Sequence, residues 1–145
     1  TLYYMEKSKK KAVWGWFPSE PKVKASSLDK PAIELAFQEV LETLQEKNCK
    51  EETPENDASL GLYTISVGLK WHRHFLYICY NQRDAREGAI QPYWEDRTAR
   101  IECTSNTTFN LAYFRHTGQW ATVYEELSLA DTKSSILNDP CFCFV

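Results

Sequence analysis

Residues 29–69 read DKPAIELAFQEVLETLQEKNCKEETPENDASLGLYTISVGL, and the hydrophobic period changes once inside them. Ile33, Ala36, Phe37, Val40, Leu41 and Leu44 recur at spacings of three and four, with Glu34, Gln38, Glu42 and Gln45 on the opposite side. That is the pattern of an amphipathic helix. Asp29 can cap its N-terminus, and Pro31 suits the first turn, where a missing N–H is no loss. Residues 48–58 are polar and interrupted by Pro54, which reads as a loop. From Leu62 the period is two: Tyr63, Ile65, Val67 and Leu69 share one face, and Leu62, Thr64 and Ser66 share the other. A strand therefore follows the helix.

Working outward from this switch, residues 72–80 form a second strand, nearly apolar on both faces after Arg73. The short link Lys70-Trp71 makes the pair a hairpin. Residues 81–93 read as a polar loop. Ala99, Ile101 and Cys103 alternate with Arg100 and Glu102, and Phe109, Leu111 and Tyr113 alternate with Asn110 and Ala112, giving two strands around a Ser105-Asn106 turn. Thr117-Gly118 marks another reversal before a fifth strand at 120–124. Ser128-Leu129-Ala130-Asp131 resembles a capping box, opening a short helix that ends before Pro140. The expected class is α+β: a long N-terminal helix packed on a mostly antiparallel sheet of about five strands, with a short C-terminal helix. Upstream, residues 1–28 read as a basic, aromatic arm, which leaves 29–145 as a single domain.

The composition agrees with one globular domain. The 145 residues are 43% hydrophobic and 14% aromatic, with only five Gly and six Pro, which excludes a disordered or collagen-like chain. No apolar run reaches the roughly 18 residues of a membrane span, so a soluble protein without a membrane partner is expected. The net charge of −3 is uneven: residues 1–30 carry +4, residues 31–60 carry −6 and residues 61–145 carry −1. Five cysteines cannot all pair within one chain. With no apolar core of a signal peptide in the first residues, reduced thiols and a cytoplasmic location are expected. The sequon Asn106-Thr107-Thr108 has meaning only in a secretory compartment.

Chemistry is sparse. No nucleophile elbow, phosphate-binding loop or dinucleotide turn occurs, and no Cys-x-x-Cys pair accompanies Cys141-x-Cys143. Glu95 and Asp96 are adjacent and point apart on a strand. His72 and His74, two apart, would face one side, and His116 would supply a third ligand to a zinc ion, but no carboxylate stands beside them to orient the rings. The expectation is a chain without catalytic residues, bound metal or cofactor. The leading reading is a non-enzymatic module that binds a protein partner through an aromatic-rich sheet surface, with Tyr93, Trp94, Arg115 and Trp120 as contacts. One alternative is single-stranded nucleic acid on the arm, where Lys9, Lys10 and Lys11 would neutralise phosphates and Trp14 and Trp16 would stack on bases. Another is a small metal-dependent enzyme built on the His-x-His pair. An exposed aromatic sheet face would equally suit a homodimer.

The order Pro92-Tyr93-Trp94-Glu95, Ala99-Arg100-Ile101, the run from Phe109 through Arg115, Trp120 and finally Asp139-Pro140-Cys141-Phe142 resembles a family of short bacterial proteins of unknown function. The resemblance covers about residues 30–145. It implies a helix, then aromatic-rich strands, then an acidic residue before a Cys-Phe end, and it implies no activity or catalytic residue. The chain has Phe109 where the family often has Trp, and Val145 where it ends in Gly.

Overall fold

The structure, a computed structural model, describes residues 24–142. The arm residues Lys9, Lys10, Lys11, Trp14 and Trp16 lie outside them. A 3-10 turn at Ala25–Ser27 leads into α1 (Lys30–Ala36), whose N–H at Ala32 donates to the Asp29 carboxylate at 3.3 Å, with Pro31 in the first turn. The expected single long helix is instead two. At Phe37 the backbone leaves the helical well (φ −96°, ψ 3°), and α2 runs Gln38–Asn48. The Phe37 N–H reaches the carbonyls of both Ile33 and Glu34, at 3.2 and 3.1 Å, which tightens the turn. Its ring is fully buried, edge-on to Phe109 with centroids 5.7 Å apart. The Leu41 N–H still donates to the Phe37 carbonyl, so Ile33, Phe37, Val40 and Leu44 keep to one buried face across the joint.

Pro54 starts a helix where a loop is expected. The Thr53 hydroxyl accepts from the Asn56 N–H at 3.0 Å, and α3 spans Pro54–Leu60 until Gly61, at φ 72°, stops it. Proline at the first helical position followed by glycine past the last is the ordinary asymmetry of helix ends.

Five strands follow: β1 (Leu62–His72), β2 (Phe75–Asp84), β3 (Tyr93–Cys103), β4 (Thr108–Phe114) and β5 (Trp120–Ser128). They pair antiparallel in chain order, as a meander. Then α4 (Leu129–Asn138) begins with the Ser128 hydroxyl accepting from the Asp131 N–H at 3.1 Å, and a 3-10 turn follows at Pro140–Phe142. The fold is α+β, and no described helix is long and apolar enough to cross a membrane.

Three details differ from the sequence reading. The first hairpin turns at Arg73-His74 rather than Lys70-Trp71: His72 pairs with Phe75, and Arg73 takes a positive φ of 57°. An extra residue, Ile65, interrupts the register between Thr64 and Ser66, so Tyr63 lies on the opposite face from Val67 and Leu69. The supposed loop at 81–93 shrinks, because β2 continues to Asp84 and β3 starts at Tyr93. There the inward positions are polar yet satisfied. Thr64 Oγ1 donates to Gln82 Oε1 at 2.7 Å, and Gln82 Nε2 and Trp94 Nε1 both donate to Asp96 Oδ2, at 3.2 and 3.3 Å. Hydrogen bonding continues the sheet where hydrophobic alternation ends.

The core lies between one sheet face and the helices. Phe37, Val40 and Ile136 pack with Leu76, Ile78, Ile101, Phe109 and Leu111. Lys133 on α4 reaches Glu39 on α2 at 2.5 Å, and Tyr124 on β5 donates to Asp139 just beyond α4, so the last helix is tied to both layers.

Candidate functional site

The buried apolar side chains of α1, α2 and α4 cluster with Leu76, Ile78 and Tyr80 on one face of the sheet. The second face carries the residues that alternate with these, Phe75, Tyr77 and Cys79. Of the described helices, α3 reaches this face at its β1–β2 corner, through Asp57. On β3 the register slips between Ile78 and Cys79, so that Arg97 pairs with Cys79, Arg100 pairs with Tyr77, and Thr98 is the extra residue between them. The bulge thus puts two arginines side by side on the second face.

Both guanidinium groups lie over rings. Arg97 stands 4.6 Å from the centroid of Tyr77, and Arg100 stands 4.8 Å from Phe75 and 5.4 Å from Trp120. Trp120 packs against Tyr77 at 5.5 Å and against Phe114 at 5.1 Å. Tyr77 is buried beneath this layer, while Phe114 is 49% exposed. The two acids that flank the arginines on β3 are engaged elsewhere. Glu95 binds Lys70 at 2.7 Å, and Glu102 binds His74 at 3.0 Å and Asn110 at 3.1 Å. Among the described residues no carboxylate pairs with Arg97 or Arg100, and Arg100 Nε is buried with no hydrogen-bond partner.

A second aromatic–arginine group sits at the corner near α3 and is closed on itself. Arg83 lies 4.7 Å from the Tyr93 ring, bonds Asp57 at 3.2 Å and stands 3.6 Å from Glu52. Tyr93 donates to Glu52 and Tyr63 donates to Asp57, at 2.5 and 2.7 Å. The hydrogen bond from Arg83, then that from Tyr63, holds the Asp57 carboxyl below its usual range, and the bond to Glu52 raises the Tyr93 hydroxyl. Here the positive charge is already neutralised.

The structure therefore separates the four residues expected on the sheet surface. Trp120 belongs to the central cluster. Tyr93 belongs to the closed corner. Trp94 points to the helix side, where it bonds Asp96 and forms one wall of an open cavity of about 500 Å³ with residues of the 84–91 loop. Arg115 is exposed in the β4–β5 turn, its N–H donating to the Gln119 carbonyl at 2.8 Å. The histidines are dispersed: His72 ends β1, His74 is 6% exposed in the hairpin turn on Glu102, and His116 is exposed in the β4–β5 turn. Among the described residues no group of three or more His, Cys, Asp or Glu is placed to hold a metal ion. Each described cysteine has its thiol raised by burial, Cys103 up to about 12, so none is an activated nucleophile at neutral pH.

Phe75, Tyr77, Arg97 and Arg100 were not candidates in the sequence. The usable signal was β2 itself, because a strand apolar on both faces needs cover on both. The cover for Phe75 and Tyr77 comes from Arg97, Arg100 and Trp120, which reach them only through strand register.

No protein-family model matches the chain, and no curated protein or solved structure matches it either.

Proposed function

We propose that the protein is a non-enzymatic binding module that takes a protein partner on the second face of its sheet. The observation that carries this reading is the central cluster, in which Trp120, Phe75 and Tyr77 lie beneath Arg97 and Arg100, with Phe114 extending the apolar surface toward the β5 edge. Tryptophan, tyrosine and arginine are the side chains that dominate interface hot spots, and a central desolvated group ringed by charge is where such hot spots lie. The described cysteines are free thiols, which suits a reducing, cytoplasmic setting for this module.

The test is affinity purification of the full chain with quantitative mass spectrometry, comparing the wild type with Phe114→Ser/Trp120→Ser and with Leu35→Ser. Leu35 is 76% exposed on α1, away from the sheet face, and serves as a control for replacing an exposed apolar side chain by serine. Partners retained by the wild type and by Leu35→Ser should fall about ten-fold or more with the double variant, the loss expected when a hot-spot side chain is removed. Equal recovery by all three proteins would refute the reading. Recovery of the chain itself as the face-dependent partner would convert it to a homodimer.

A further inference from the structure

This inference rests on the second sheet face being the protein-binding surface, and it names the chemistry of the partner. We propose that the face takes an extended acidic segment of polypeptide whose carboxylates dock on Arg97 and Arg100. The first argument is charge. Glu95 is paired with Lys70, and Glu102 is hydrogen-bonded to His74 and Asn110, so neither carboxylate is spent on the two arginines between them, which lie over rings. A guanidinium lying over a ring presents its donors around its rim, where a carboxylate binds in the plane through two N–H groups. On Arg100 one donor, Nε, is buried and unbonded. An unmet buried donor is costly, and a shift of the Arg100 side chain that opens Nε lets it join a terminal nitrogen in the side-on fork by which a guanidinium grips a carboxylate.

Spacing is the second argument. Arg97 and Arg100 pair with Cys79 and Tyr77, next-but-one neighbours on β2. Their attachment points are therefore separated by about two strand residues, roughly 7 Å. An extended peptide repeats the same interval between every second side chain, so the matching pattern is an acid, any residue and an acid.

The alternative occupants fit less well. A single-stranded nucleic acid needs open ring faces on which its bases can stack, whereas Tyr77 is buried and Phe75 lies under Arg100. The chain's own first 30 residues carry a net +4 and have the wrong sign.

The experiment titrates the ¹⁵N-labelled full chain with an eight-residue peptide alternating Glu and Thr, with the matched Gln–Thr peptide, and with a ten-residue oligothymidylate. The readouts are the arginine Nε–H resonances and fluorescence anisotropy of labelled probes. The Glu–Thr peptide should shift the Arg100 Nε–H signal and bind about ten-fold or more tightly than the Gln–Thr peptide, as charge-assisted pairing requires. Arg97→Gln and Arg100→Gln should each remove most of that preference, Arg100→Lys should lose it partly, and Lys47→Gln, an exposed change on α2 away from this face, should keep it. Arg97 is exposed, so Arg97→Gln decides the matter even if Arg100→Gln does not fold. Equal affinity for the two peptides, an unmoved Arg100 signal, or tighter binding of the oligothymidylate would overturn the inference. Should these fail while the Phe114→Ser/Trp120→Ser variant still loses its partners, the binding face stands and only its preference for acid falls.

Discussion

Asp84 shows how a single surface pair sets the response to acid. The hydrogen bond from the Arg86 side chain outweighs the opposing effect of burial and holds the carboxyl at about 2, against an ordinary 3.8. Asp57, Glu39 and Asp139 are lowered in the same direction by Arg83, Lys133 and Tyr124. As pH falls, the unfolded chain takes up these protons before the folded chain does. The stabilisation is complete above the unfolded value and is lost as pH falls through the folded one. Urea unfolding of the wild type should therefore show a steady loss of stability between about pH 4 and pH 2, with little change from pH 7 to pH 5 on account of these groups. Asp84→Asn should flatten part of that slope and leave the neutral-pH midpoint nearer its acid value. An unchanged slope would mean that the Asp84–Arg86 pair does not persist in solution.

At the scale of elements, the ends of helices were more legible than their continuity. The Asp29 and Ser128 caps were readable because short polar side chains satisfy orphan N–H groups within three residues, an interaction wholly local in sequence. The break at Phe37 was not, because nothing in the local period announces it and the ring's seat against Phe109 is a long-range contact. Pro54 was misread for a different reason: a proline ends one helix and begins another equally well, and only Thr53 before it and Gly61 after it decide. The first hairpin was misplaced because its turn lacks the usual Gly or Asn. Arg73 adopts φ 57° without either. That strain gives a prediction. Arg73→Gly should raise thermal stability by an amount equivalent to about 0.5–1 kcal/mol, since relief of the left-handed conformation exceeds the entropy glycine adds to the unfolded chain. Calorimetry that finds Arg73→Gly destabilised would show the Arg73 side chain to be holding the turn.

For the molecule as a whole, the class was readable and the surface was not. One change of hydrophobic period separates the helices before the sheet from its first strand, and that is a one-dimensional signal. The group of Phe75, Tyr77, Arg97, Arg100 and Trp120 draws on three strands, and its assembly depends on the bulge at Thr98, which no alternation pattern reveals. The core is similarly shared, and Phe37 is its keystone between the two N-terminal helices and β4. Phe37→Ala should cost about 3–5 kcal/mol, the usual range for a fully buried phenylalanine, in chemical denaturation. A loss under about 1 kcal/mol would mean that the helices can collapse onto the space left behind.

The meander has one more consequence, for the order in which the protein is assembled during synthesis. Each described strand after the first pairs with the one made just before it, so these hairpins can close in the sequence in which they leave the ribosome and none of the described strands waits for a distant mate. The helical layer obeys no such order. Phe37 and Val40 emerge before the five described strands, whereas Ile136 and Phe142, which complete the same apolar cluster, come after them. The nascent sheet thus passes through a stage in which its pairing is finished and its core is still open on the α4 side. During that interval the Phe109 and Leu111 face is the part of the chain most in need of shielding from its neighbours.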